Sequence, residues 1–353
     1  MCIRDLGNLM TLDGLASAGY GIETNSFENP ENDFRVNAMK LVGAPGYAPQ
    51  TRMLKVMFSA IAPRLSKILN LQILPAGPLN FFATILKTTY RQRLNSSVKR
   101  NDIIDVIMEE MKNANTRAAK RVEAHEEDSD VAFDTKGLGT LKEAGYDEES
   151  LIISNALLLF FVGFDTTAMG FAMVAHKLAR YPDCQEKVIE EIDEVIGSTQ
   201  EVTYEHIQKL KYMDMFMSEV FRTSPSLTAH ERRCSKDYKI PDTDYTIPKG
   251  RYVKVYFKDF TTRSDFFMNP EEFDPENFAP ENKHNKFGYH TFGHGPRNCI
   301  GMRYANMTMK ICMVYLLKQF RVTKGPKFED ELVADPNNPG NFINGAYVKI
   351  ETR

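Results

Sequence analysis

The run FGHGPRNCIG, Phe292 to Gly301, presents one cysteine on a tight loop framed by glycines. From Gly301 to Phe320 the residues Tyr304, Met307, Ile311, Val314 and Leu317 recur at helical spacing, so Cys299 stands just ahead of a helix N-terminus. Unpaired backbone N–H groups and the positive end of the helix dipole favour a sulfur anion there, and a thiolate is a metal ligand. Gly295 permits a backbone conformation that a Cβ would oppose, and Gly301 lets a flat ligand approach the main chain. Arg297, two residues before the cysteine, offers a planar fork suited to a carboxylate. The plain alternative is a buried Cys299 packing as a small hydrophobe beside a glycine turn.

Two further groups could do chemistry. Val162-Gly163-Phe164-Asp165-Thr166-Thr167 sets a carboxylate and hydroxyls beside a glycine in otherwise apolar surroundings, where an unpaired carboxylate is costly. Gly163 can leave a groove for a small ligand, with Thr166 donating into it and Asp165 connecting it to bulk protons. A polar kink satisfied within a helix bundle is the alternative. Glu219 and Arg222, three apart, meet on one helix face, although a solvated surface pair has the same spacing.

The elements that must position these groups are mostly helical. Periodicity predicts helices over Met1–Ala18, Asn32–Val42, Arg52–Leu69, Asn80–Asn95, Lys99–Asn113, Glu148–Arg180, Cys184–Ile196, Thr203–Leu210 and Tyr212–Thr223. The helix from Glu148, stopped by Pro182, is apolar on nearly every face between Ile152 and Val162 and must be central and buried. Strand character is confined to Tyr238–Ile240, Tyr252–Tyr256, Arg321–Thr323 and Ala346–Ile350, and Gly288–Arg297 reads as loop. Arg117–Gly145 is charged and weakly apolar, a linker by composition. LQILPAGPLNFF, from Leu71, could lie on a membrane surface, line a channel mouth or form a buried loop. The fold class is mainly α, an α+β domain with a small β part.

Bulk properties exclude several classes. Forty-four Lys and Arg against 47 Asp and Glu, without a long basic block, argue against a nucleic-acid binder. Five cysteines without CxxC spacing suggest neither a zinc site nor a disulfide framework, and a reducing compartment fits. Ala156 to Val162, the longest strongly apolar run, is far short of the roughly 20 residues of a membrane span. Tryptophan is absent from all 353 residues.

The cysteine run resembles the haem-binding loop of the cytochrome P-450 family, FxxGxRxCxG, through Phe292, Gly295, Arg297, Cys299 and Gly301. That resemblance implies the family's fold, a large helical domain with a small β part over 1–353, and haem b with iron ligated by Cys299. It implies that Asp165 and Thr166 position dioxygen and deliver protons, with Val162 in place of a usual small residue and narrowing the space there. It implies that Glu219 and Arg222 are a buried lock joined by a later arginine, here replaced by Asn277, whose amide supplies no charge. Arg232 and Arg297 match propionate-binding arginines, although Arg232 has an equal reading as a surface base beside Arg233 and Lys236. His294 reads as a loop residue. Phe160, Val162, Gly163 and Thr167, the stretch Ser226–Ala229 with Leu227, and Asn341–Gly345 with Phe342 and Ile343 would line an apolar substrate pocket, or be ordinary core.

The activity so implied is a monooxygenase taking NADPH-derived electrons from a flavoprotein reductase that docks near Arg297, Arg303 and Lys310. Cytochrome b5 and peripheral membrane contact are compatible with it, at the cytosolic face of the endoplasmic reticulum. Met1 to Phe34 resembles a mid-domain segment of the animal microsomal members that oxidise foreign compounds. The expectation is therefore a chain lacking the family's membrane anchor, N-terminal β-sheet and a propionate-binding Trp–Arg helix. A haem-thiolate isomerase or synthase, a haem-poor fragment and, more remotely, a thiol hydrolase are the alternatives.

Overall fold

A computed structural model of the chain describes residues 1–42, 65, 74–124, 145–199, 201–225, 229–282, 286–333 and 346–353, with the side chains of 114–124, 258 and 286 excepted. The contacts group it into two compact units. The first comprises Asn8–Asp165 and Asp335–Asn341; the second comprises Met1–Gly7, Thr166–Ala334 and Phe342–Arg353.

The first unit is built from α1 (Ile3–Tyr20) beyond Gly7, α2 (Asp33–Val42), α3 (Ala76–Leu94), α4 (Ile103–Ala124) and the leading half of α5 (Glu148–Arg180). Side chains cap the starts: Asn32 Oδ1 accepts from Arg35 N at 2.8 Å before α2, and Asp147 Oδ1 from Ser150 N at 2.7 Å before α5. The core is aromatic. Phe160 lies 5.6 Å from Tyr20, 5.5 Å from Phe34, 5.1 Å from Phe82 and 5.6 Å from Phe164, mixing edge-on and tilted contacts. Tyr20 reconciles its hydroxyl with burial by donating to Ala156 O at 2.8 Å.

The second unit holds the rest of α5, then α6 (Pro182–Ile196), α7 (Tyr204–Lys209), α8 (Lys211–Thr223), α9 (Lys258–Thr261) and α10 (Met302–Leu317). α6 buries Val188, Ile189, Ile192 and Ile196, one stripe of a helix that begins with Pro182. Carboxylates of Glu191 accept from the backbone N–H of Tyr212 and Met213, at 2.6 and 2.9 Å, capping α8 from a neighbouring helix. Strands β1 (Ala229–Arg233), β2 (Tyr238–Lys239), β3 (Thr246–Ile247), β4 (Tyr252–Tyr256), β5 (Phe320–Thr323) and β6 (Lys349–Thr352) pair antiparallel as β1–β4, β2–β3 and β5–β6. In β1–β4, Ala229 faces Tyr256 and Arg233 faces Tyr252.

The mainly α class holds. Three local readings change. Arg117–Gly145 is not wholly linker, because α4 continues to Ala124. The last strand starts at Lys349, with Tyr347 in a single bridge to Cys2. The long helix is not buried all round, since Leu158 and Val162, four apart on one face, are 59% and 51% exposed. The expected helix Arg52–Leu69 lies almost entirely outside the described residues.

Candidate functional site

The loop that carries Cys299 is wound by its glycines. Gly293 and Gly295 have φ of 72° and 78°, left-handed conformations that a Cβ would strain. Gly293 N donates to His290 O at 2.9 Å, Asn298 N to Gly295 O at 3.1 Å and Cys299 N to Phe292 O at 2.8 Å, so the chain folds back on itself before the sulfur. α10 follows at Met302. Of the five cysteines Cys299 is the exposed one, whereas Cys312 is buried within α10 and its thiol is pushed up to about 12 by desolvation. No heavy atom lies within 4 Å of where a Cβ on Gly295 would stand, and the nearest to Gly301 is Cys299 Sγ at 4.0 Å. The lip of the loop is open around the sulfur.

Behind the loop is a buried ionic lock. Phe292 meets Phe221 of α8 edge-on at 6.2 Å. On that helix Arg222 Nε and Nη2 each donate to a Glu219 carboxylate oxygen at 2.7 Å, both side chains being almost fully buried. Arg222 spends its other protons on the carbonyls of Thr261 (2.6 Å), Pro270 (2.8 Å) and Glu272 (2.8 Å). Its guanidinium lies 4.9 Å from the Phe267 ring centroid. Glu219 Oε1 also accepts from Asp274 N at 2.8 Å and Asn277 Nδ2 at 3.4 Å. Burial pushes the Glu219 carboxyl up, opposed by Arg222, the Asp274 amide and Asn277. The reading of a solvated surface pair therefore falls, and Glu219, Arg222 and Asn277 are brought together.

The other sequence candidates fare differently. Phe160 is 2% exposed inside the aromatic core of the first unit and so packs rather than lines open space. The groove expected beside Gly163 is taken by Leu15, whose Cδ2 lies 2.9 Å from the position of a Cβ there. Thr167 is buried, Thr166 and Val162 are exposed, and Asp165 is half-buried. Arg232 is exposed on β1, with Nη1 donating to Glu231 O at 2.9 Å. Leu227 and Phe342 lie outside the described residues, as do Ser226–Thr228 and Asn341–Gly345. Lys310 is not a surface base: it is buried, its Nζ 2.5 Å from Asp214 Oδ1 and donating to Ile207 O at 3.1 Å. A lysine on the inner face of α10 serves the C-terminal end of α7, whose carbonyls lack helical donors.

The sequence profile of the cytochrome P450 family matches residues 53–342. The chain belongs to that family. Cytochrome P450 9e2 of Blattella germanica is 34% identical over 91% of this chain and 57% of its own length. A probable cytochrome P450 6a14 of Drosophila melanogaster is 29% identical over 99% and 65%, and cytochrome P450 3A29 of Sus scrofa 29% over 90% and 58%. The chain thus spans roughly three fifths of the curated relatives it matches.

A cytochrome P450 implies haem, with a cysteine thiolate as axial ligand to iron. The residues present fit that group: a soft sulfur donor is exposed, the glycines beside it leave room, and the guanidinium of Arg297 is exposed on the same loop. Among the described residues only α5 is long and apolar enough to cross a membrane, and 56% of its most apolar stretch is buried within the protein. The carbonyl cage of Arg222, from Thr261, Pro270 and Glu272, has no signature in the sequence.

Proposed function

We propose that this chain carries the haem-thiolate centre of a monooxygenase acting on an apolar small molecule. One atom of O2 enters the substrate and the other leaves as water, with two electrons from NADPH arriving through a flavoprotein reductase. The observation that carries this reading is the exposed Cys299 sulfur at the end of the glycine-wound loop, in a chain of the cytochrome P450 family. Haem bound there supplies the activation of dioxygen and the oxygen transfer itself.

The protein's own residues do the rest. Cys299 would supply the sulfur that holds iron, and the Phe292–Phe221 contact ties its loop to the helix of the ionic lock. Arg297 and Arg232 offer guanidinium forks to the propionates. The Thr166 hydroxyl and the Asp165 carboxylate, neighbours on α5, hold and pass protons. Val162, exposed on α5, supplies an apolar side chain for a substrate, and Leu227 and Phe342 are proposed as further apolar side chains for it. Arg297 and Arg303, both exposed, are the cations left for a reductase once Lys310 is removed from that face. The endoplasmic reticulum, cytochrome b5 as a further partner and foreign compounds as substrates accompany this reading.

The test is the carbon monoxide spectrum of the reduced protein. A Soret shift typical of thiolate ligation, with about one haem per chain and loss of the shift in Cys299→Ser, is expected. Near-zero haem occupancy, or a shift that survives the substitution, overturns it. Turnover of a peroxide without NADPH would replace the monooxygenase by an isomerase.

A further inference from the structure

Two imidazoles pack on one phenylalanine behind the Cys299 loop, and a third, on the loop, packs on one of them. His290 stacks on Phe257 at 5.6 Å with 12° between planes, and lies 5.3 Å from Phe260. His230 of β1 meets the same Phe257 edge-on at 4.5 Å. His294 stands 5.0 Å from His290 and 5.6 Å from Phe287. The cluster grips the loop at defined points. His290 O accepts from Gly293 N, His294 Nε2 donates to Tyr289 O at 2.9 Å, and His230 Cε1 lies 2.9 Å from where a Cβ on Gly293 would stand.

We propose that His230, His290 and His294 form an acid-released latch on the Cys299 loop: neutral, they stack and hold it, and protonated at His290 they let it go. Two features of the geometry make the charged form incompatible with this packing. His290 Nδ1 is buried with no hydrogen-bond partner among the described residues, so a proton added there finds no acceptor. The His294 ring, exposed, lies 5.0 Å from His290, and its charge acts against protonation of His290.

The surrounding charges do not relieve it. Arg232 and His294 are the groups acting on His230, and His294 and His230 those acting on His290. Glu231 pairs instead with Lys254 of β4 at 3.2 Å, and Asp259 of α9 is exposed. Burial accordingly holds His230 and His290 below the usual imidazole range. The same latch would govern haem retention in acid, a consequence that rests on the haem reading of Cys299; the latch itself does not.

Hydrogen exchange of the full chain, followed in peptides covering Tyr289–Gly301 and corrected for intrinsic rates, tests it without haem chemistry. Protection of the Gly293 and Cys299 amides should fall about tenfold between about pH 7.5 and about pH 5.5. His290→Leu should keep it at the lower pH. If His290→Leu does not fold, His294→Gln, which takes the neighbouring imidazole away from His290, should move the midpoint down by about half a pH unit. Protection that persists in the wild type at the lower pH, or variants that lose it at the wild-type midpoint, overturn the proposal. A missing thiolate spectrum alongside an intact latch would sink only the haem reading.

Discussion

Glu219 and Arg222 show how much a residue pair depends on what surrounds it. The bidentate contact at 2.7 Å sits out of water, so removing one partner strands the other charge. Glu219→Gln should cost about 3–5 kcal/mol in urea unfolding, and Arg222→Lys a similar amount, because an ammonium cannot serve two carboxylate oxygens and three carbonyls at once. Asn277→Ala should cost only about 1 kcal/mol, since its 3.4 Å bond to Glu219 is long and its other loss is one acceptor for Met268 N. A result in which all three changes cost under about 1 kcal/mol would return the pair to a surface role. The three-residue spacing is legible in the sequence, whereas Asn277 as a chargeless third member follows only from the family resemblance. The carbonyls of residues 261, 270 and 272 are not legible, because backbone acceptors leave no mark on residue identity. Cys299 was legible for the opposite reason: its loop needs glycines at positive φ and an arginine at a set distance. Its exposure carries a second prediction. A small maleimide should modify Cys299 and spare Cys312, and bound haem should protect Cys299; Cys312 labelling at the same rate would contradict the burial that raises its pKa.

At the scale of elements, long apolar periodicity is legible, and so are the strands at Tyr238, Tyr252 and Arg321, but β1 and β3 are not. α5 has the bounds its sequence announces, from the acidic Glu148-Glu149 start to Arg180 before Pro182. β1, Ala-His-Glu-Arg-Arg, has no alternation of its own and exists because β4, Tyr-Val-Lys-Val-Tyr, offers it a ladder. The close approach of α5 to α10 was equally hidden. A Cβ on Gly170 would stand 2.7 Å from Met309 Sδ and 3.5 Å from Phe221, so glycine there sets the spacing between α5, the helix after the cysteine loop and the helix of the ionic lock. Gly170→Val should destabilise by about 1–3 kcal/mol through overpacking, despite replacing glycine inside a helix. Met309→Ala in the same background should recover part of that loss if the clash is the cause. An unchanged thermal midpoint for Gly170→Val would mean that the helices separate without cost.

For the molecule as a whole, pH reads out how distant segments are held together. His176, on the central helix, donates from Nε2 to Glu329 O at 2.7 Å and stacks face to face on Phe328 at 4.6 Å, fixing a segment 153 residues further along the chain. Its Nδ1 is buried and has no partner among the described residues, and desolvation holds its pKa below 6.5, with Lys177 and Arg180 adding to that push. The unfolded chain, with an ordinary imidazole, therefore binds more protons than the folded one between the depressed value and 6.5, and stability rises with pH across that interval. The contribution is fully present above about pH 6.5 and is lost as pH falls below it. The urea midpoint of the wild type should decline from about pH 7.5 to about pH 5.5, and His176→Gln, which can still donate to Glu329 O but cannot titrate, should decline less. Comparing the two proteins cancels every titration they share, including those of the latch histidines. Equal declines would show that His176 is accommodated as a cation. The Lys324–Asp330 pair at 2.8 Å is exposed and screened, so it does not substitute for this buried contact in holding the segment.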